Sequence, residues 1–207
     1  MGIQLLDQNT INKIAAGEVI ERPSSVVKEL VENAIDAGAT AVTVEAKEGG
    51  ISFIRVTDNG SGIKKDEIDI AFKRHATSKI KSIEDLLTVS SLGFRGEALA
   101  SIAAVSQIEL ITKTKADITG TRYQSEGGVV ISVEDIGAPD GTTFIIRNLF
   151  FNTPVRRKFL KSAMTEAGYI NALMQYMALS HPEVSFRFIN NNQNKPVSYT
   201  HLTLPTI

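Results

Sequence analysis

Three carboxylates and one amide stand together in a stretch with helical character. Glu29, Glu32, Asn33 and Asp36 recur at the i, i+3, i+4, i+7 spacing, which puts them on one side of a helix. Val27, Leu30, Val31 and Ala34 recur at the same spacing, roughly opposite, as a core stripe. Taken alone, the acidic side reads as an ordinary solvated face. Two details point elsewhere. None of its like charges has a Lys or Arg four residues on to relieve it. Apolar segments also flank the helix on both sides, so its polar face can line a cleft. A carboxylate-plus-amide set suits magnesium, which takes oxygen ligands and keeps several waters. A second carboxylate nearby can orient and deprotonate a water.

Two glycine turns carry the next signals. Asp58-Asn59-Gly60-Ser61-Gly62-Ile63 follows a strand-like run. As a plain turn it needs no further explanation. As a site, Gly60 and Gly62 would let a ligand approach the backbone, and Asp58 would be a fixed acceptor for an exocyclic amine such as that of adenine. The second turn, Gly93-Phe94-Arg95-Gly96-Glu97-Ala98-Leu99, enters a helix. Exposed N–H groups and the helix dipole suit phosphate there, although a simple connecting loop has the same composition. The chain contains no Gly-x-x-x-x-Gly-Lys-Ser/Thr string and no Gly-x-Gly-x-x-Gly after a strand, so P-loop and Rossmann sites are unsupported.

The elements that must position these residues can be read from periodicity. Ile11, Ile14, Ala15 and Val19 predict a first helix that Gly17 ends or bends. Pro23 opens the acidic helix, which runs to about Asp36 and stops at Gly38. Residues 41–46 and 51–56 read as a hairpin around Gly49-Gly50. Short helices are expected over 64–87 and an apolar helix from Glu97 to Ala104, then strands near 105–113, 118–126, 129–136 and 142–149. Helices over 154–161 and 165–180 precede Val184–Ile189, which alternates like an edge strand. Helices come early and strands late. This predicts an α+β fold, a mixed, mainly antiparallel sheet covered on one face by helices.

Composition sets outer limits. The 207 residues are 43% hydrophobic and 22% charged with net charge -1, so any nucleic-acid surface must be local rather than global. There is no Cys and only three His, which removes thiolate chemistry and makes a His-rich metal site unlikely. No apolar run approaches the roughly 20 residues a membrane helix needs, and the N-terminus has no signal-peptide pattern. No membrane partner and a cytoplasmic location are the expectations. Arg156, Arg157, Lys158 and Lys161 form a basic cluster, read first as a solvated helix start and otherwise as a contact to DNA phosphates. His75 reads as a packing or hydrogen-bonding residue. Phe150-Phe151 reads as a core anchor.

The three site features, in this order, resemble the GHKL superfamily of ATPases, with its Bergerat ATP-binding fold. Glu29-Leu30-Val31-Glu32-Asn33-Ala34-Ile35-Asp36-Ala37-Gly38-Ala39 and Asp58-Asn59-Gly60-Ser61-Gly62-Ile63 match its shared motifs. Further strings resemble the MutL family of mismatch repair proteins: Ile14 to Pro23, Arg74-His75-Ala76-Thr77-Ser78-Lys79-Ile80, Gly93 to Ile102, and Asn148 to Leu160. The match covers about residues 3–190.

The resemblance implies ATP and Mg2+ as ligands. Glu29 is then the general base, and Asn33 contacts the nucleotide as its magnesium ligand. Asp58 is the adenine acceptor, helped by Thr143 and Thr142 through water, with Gly60 and Gly62 shaping the base pocket. Thr77, Ser78 and Lys79 lie in a lid, and Gly93, Phe94, Arg95, Gly96, Glu97, Ala98 and Leu99 wrap the phosphates. Lid closure orders the N-terminal segment and lets a second MutL protomer dimerise. The implied partners are a mismatch-recognition protein, downstream repair enzymes and, weakly and locally, DNA. A GHKL-type domain is expected over 1–194, with 195–207 an atypical tail that does not resemble the family's continuation. In the family a following domain supplies a lysine to the γ-phosphate and a distant one supplies dimerisation. Weak hydrolysis is therefore expected of these 207 residues, the alternative being a nucleotide-binding module without turnover.

Overall fold

A computed structural model describes residues 7–76 and 96–197. It begins with a capped helix, α1 (Gln8–Val19): Asp7 accepts from the Thr10 N–H at 2.9 Å and from its hydroxyl at 2.7 Å. Gly17 does not end this helix. A Cβ there would lie 1.6 Å from the Arg156 guanidinium, so the glycine makes room for a side chain crossing the helix. The second helix, α2 (Pro23–Asp36), starts on a proline and closes at Gly38, whose φ is +72°.

The strands β1 (Ala41–Lys47) and β2 (Phe53–Asp58) pair antiparallel around a short turn, Glu48–Gly50, with positive φ at all three residues. Next come α3 (Lys65–Ala71) and α4 (Ala98–Ala104), then β3 (Gln107–Lys113), β4 (Gly120–Glu126), β5 (Val129–Ile136) and β6 (Gly141–Arg147). The described part ends with α5 (Pro154–Phe159), α6 (Ala163–Ser180), β7 (Ser185–Asn190) and β8 (Gln193–Lys195). The part of the helices expected over 64–87 that follows residue 76 lies outside the described residues.

The eight strands form one sheet in the order β5-β4-β3-β6-β2-β1-β7-β8, antiparallel except for β1 with β7. The expected α+β architecture is present. The expected edge position of β7 is not: it lies between β1 and β8. The edge strand is only three residues long, and it returns through Asn191 and Asn192, both at positive φ. Too short for a period-2 signal, it was not visible in the sequence. Val197, beyond it, is buried in the core.

Alternation along the strands decides which side packs. Val42, Val44, Ile54, Val56, Ile108, Leu110, Phe144, Ile146 and Phe188 are buried with Val27, Leu30, Val31 and Ala34 of α2 and with Ile102, Ile170 and Met174 of the other helices. Each such large side chain contributes roughly 1.5–3 kcal/mol. On the opposite face, charges pair instead: Glu45 with Arg55, and Glu109 with Arg122 at 2.7 Å and Arg147 at 2.9 Å. Phe150 is a fully buried anchor. Of the basic cluster, Arg157, Lys158 and Lys161 are exposed, whereas Arg156 lies against α1.

Candidate nucleotide site

The site is built at the C-terminal end of α2. Here the Asp58 turn closes onto the helix: the Ser61 N–H donates to the Ala37 carbonyl at 3.0 Å. Asn59 holds the same junction from the side. Its Oδ1 accepts from the Thr40 and Ala41 N–H groups, both at 2.9 Å, and its Nδ2 donates to the Thr40 hydroxyl at 2.8 Å. Asn59, read only as a turn residue, therefore fixes the turn to the start of β1.

The protein's own packing also requires glycine at these positions. A Cβ on Gly60 would meet Ala37 at 3.0 Å, and one on Gly62 (φ +74°) would meet the Lys113 carbonyl at 2.2 Å. Gly141 (φ +108°) is held the same way against the Asp58 carbonyl at 2.2 Å. Backbone lies where a side chain would stand at Gly62 and Gly141, and Ala37 lies there at Gly60.

Asp58 ends β2 opposite Thr142, the second residue of β6. Its carboxylate accepts from the Gly60 N–H at 2.8 Å. Burial pushes its carboxyl above the usual carboxylate range, against the opposing effect of backbone N–H bonds from Gly60 and Thr142. Of the two candidate threonines, Thr142 shares the inward face with Asp58, Phe144 and Val56, and is buried. Thr143 points the other way and donates to the Thr57 hydroxyl at 3.1 Å. The pleat separates them, so Thr142, not Thr143, is the one beside Asp58. A further hydroxyl had no place in the sequence reading. Thr112 on β3 contacts Thr142 at 3.1 Å and accepts from the Ile63 N–H at 2.8 Å. Its signal was available, because it continues the inward series Ile108, Leu110 with a polar residue.

From this end α2 runs back toward its carboxylates. Asn33 is one turn and Glu29 two turns before Ala37, about 6 and 12 Å along the axis at 1.5 Å per residue. Glu29 is a quarter exposed and 3.8 Å from the Lys28 ammonium. Glu32 is buried rather than solvated, and Lys28 relieves it at 2.9 Å from the preceding turn. The expected unrelieved repulsion is therefore corrected: the cation lies four residues before Glu32, not four after. Burial disfavours the Lys28 charge, but Glu32 and Glu29 outweigh it and raise its pKa above the ordinary value. Asp36 is exposed. No three Asp, Glu, His or Cys side chains converge as a metal cage among the described residues. The donor set at Asn33 and Glu29 instead fits a magnesium ion that takes most of its oxygens from phosphate and water.

Before α4, Gly96 has φ +61°, and a Cβ on it would lie 2.6 Å from the Ala76 carbonyl. Gly96 thus seats against the end of the His75-Ala76 segment. Glu97 caps α4 and approaches His75 Nδ1 at 3.3 Å, while Ala98 and Leu99 form the first turn of that helix. Thr77, Ser78, Lys79, Gly93, Phe94 and Arg95 lie outside the described residues.

Residues 20–143 match the family model described as Histidine kinase-, DNA gyrase B-, and HSP90-like ATPase. A DNA mismatch repair protein MutL of Agathobacter rectalis is 68% identical over 193 residues, covering 93% of this chain and 30% of that protein. One of Acidobacterium capsulatum is 56% identical over 184 residues, covering 89% of this chain and 28% of that protein. The chain thus spans about 30% of the length of the curated relatives it matches. Among solved structures, the Aquifex aeolicus MutL ATPase domain complexed with ADP superposes with a TM-score of 0.70 at 36% identity, covering 86% of this chain and 63% of that chain.

Proposed function

The chain belongs to the histidine kinase-, DNA gyrase B- and HSP90-like ATPase family, and from that premise we propose that it binds ATP with magnesium and hydrolyses it slowly, as the nucleotide switch of a MutL-type mismatch repair protein. One observation carries this reading. A single rigid helix holds an amine acceptor turn at its end, an amide one turn back and a carboxylate two turns back. The Asp58 turn meets the helix at Ala37, about 12 Å along the axis from Glu29, and that length supports the reading because it is on the scale of an extended nucleoside triphosphate.

The roles follow from the chemistry. Asp58 accepts the adenine amine, and Thr142 stands beside it. Gly60 and Gly62 hold the turn in place. Asn33 contributes its amide oxygen to magnesium, which when bound neutralises charge on the phosphate oxygens. Glu29 orients the attacking water and takes its proton. Thr77, Ser78 and Lys79 act as a lid, and Gly93 to Leu99 as the phosphate loop. Turnover is slow because the reacting geometry is assembled only when the lid closes and two copies meet. In the cytoplasm this switch would couple a mismatch-recognition protein to downstream repair enzymes, with weak local DNA contact.

The test is ATP binding by calorimetry beside phosphate release from radiolabelled ATP, on this chain and on one extended through the next domain. Glu29→Ala is expected to lower magnesium-dependent release by about 10²–10⁴-fold while ATP still binds. Wild-type turnover in that variant overturns the role of Glu29. Binding without release in both chains favours a nucleotide-binding module, and absence of binding overturns the reading as a whole.

A further inference from the structure

We propose that Thr112 is a positioning residue for adenine recognition: its buried hydroxyl orients that of Thr142 beside Asp58 and thereby sets the preference for a 6-aminopurine. The inference rests on the reading that Asp58 accepts the adenine amine.

Thr112 is 1% exposed, at the end of the inward-facing series of β3. A hydroxyl has one proton and two lone pairs. One lone pair of Thr112 accepts the Ile63 N–H at 2.8 Å, which ties the far end of the Asp58 turn to the sheet. Two acceptors compete for its proton, the Gly141 carbonyl at 3.2 Å and the Thr142 hydroxyl at 3.1 Å. The carbonyl is the longer contact. When Thr112 donates to Thr142, the proton of Thr142 is released toward the base pocket.

This arrangement matches one purine edge. Adenine presents an amine donor next to a ring-nitrogen acceptor. Asp58 serves the donor, and the freed Thr142 proton serves the acceptor, directly or through one water. Guanine presents the reverse order, so its carbonyl would face the Asp58 carboxylate. Without the Thr112 hydroxyl, Thr142 loses its donor and turns its own proton elsewhere, and the Ile63 N–H loses its acceptor.

The experiment measures calorimetric affinities for ATP, for 1-deaza-ATP, which keeps the 6-amino group but has a carbon in place of the acceptor ring nitrogen, and for purine riboside triphosphate, which keeps that nitrogen but lacks the 6-amino group. The proteins are the wild-type chain, T112V, T112S and D58A. T112V keeps the side-chain shape and removes the hydroxyl. Its affinity for ATP is expected to fall about 10-fold, the scale of one hydrogen bond, with that for 1-deaza-ATP unchanged. T112S is expected to keep the wild-type preference for ATP over 1-deaza-ATP. Equal weakening of ATP and 1-deaza-ATP in T112V means a purely structural role and overturns the proposal, as does an unchanged preference. Where T112V melts below the assay temperature, T142V tests the same hydroxyl pair from the other side, and a retained preference for ATP over 1-deaza-ATP in it overturns the proposal. An intact preference for ATP over purine riboside triphosphate in D58A instead overturns the Asp58 reading itself, whatever T112V does.

Discussion

The two ends of α2 solve different problems. At the C-terminal end, the Asp58 turn is held by its own protein: Ser61 on Ala37, Asn59 on Thr40 and Ala41, Ile63 on Thr112, Gly62 against Lys113. Its acceptor is fixed before any ligand arrives. Two turns back, Glu29 and Glu32 share one lysine, and the partially exposed Glu29 keeps it at 3.8 Å. The first arrangement is preorganised, which favours affinity and selectivity. The second carries charge suited to a cation and a water that must be brought to it. On the proposed function, recognition is built into the sheet, while chemistry depends on what docks against the helix.

The sharpest way to break this contrast is at Asp58. Asp58→Ala removes the fixed acceptor and is expected to weaken ATP binding by about 10- to 100-fold, where Glu29→Ala leaves binding intact. Calorimetry on both variants checks it. Equal losses would mean that the two ends act as one unit.

Acidification should act at Asp58, with a smaller effect. Burial raises the Asp58 pKa, so the carboxylate is lost on acidification at a higher pH than an ordinary one. The preference for ATP over purine riboside triphosphate should therefore decline as pH falls, beginning above the usual carboxylate range. Taking the ratio cancels titration of the phosphates, which both ligands share. The stability effect has the opposite sign. The folded state holds the proton more tightly than the unfolded one, so the Asp58 contribution is greatest below the unfolded pKa and is lost as pH rises through the raised folded value. Asp58→Asn should flatten the ratio profile; a profile that keeps its slope in this variant would place the titrating group elsewhere.

The smallest effect is expected at Lys28. Lys28→Met leaves the buried Glu32 without its cation, but the lysine is half exposed, so the loss is about 1 kcal/mol or less. A thermal melt should show a drop of a few degrees, with the ATP preference unchanged. A collapse of that preference would link the two ends that the structure keeps apart.

Much of the site was legible because it is written locally. The stripe Val27, Leu30, Val31, Ala34 and the polar set Glu29, Glu32, Asn33, Asp36 follow from one helical period; the stripe is buried as read, whereas Glu32 of the polar set is buried too. Asp58 follows a strand and precedes Asn-Gly, and it does end β2. Lys28 was missed because only the forward i+4 neighbours of the carboxylates were weighed. Thr142 and Thr143 have the same side chain, so only strand alternation separates them. Phe144 and Ile146 carry that alternation, but it becomes decisive only once Asp58 is known to lie opposite.

The sequence alone determined most of the described helices and strands and the residue types that suit a nucleotide, because these depend on spacings of a few residues along one chain. Which face each strand residue took, and what filled the space beside each glycine, was decided only by the tertiary structure. Ile63 meets Thr112 across 49 positions and Asp58 meets Thr142 across 84. Such contacts depend on sheet order and register, which are set when the central strands bury one face against the helices at once.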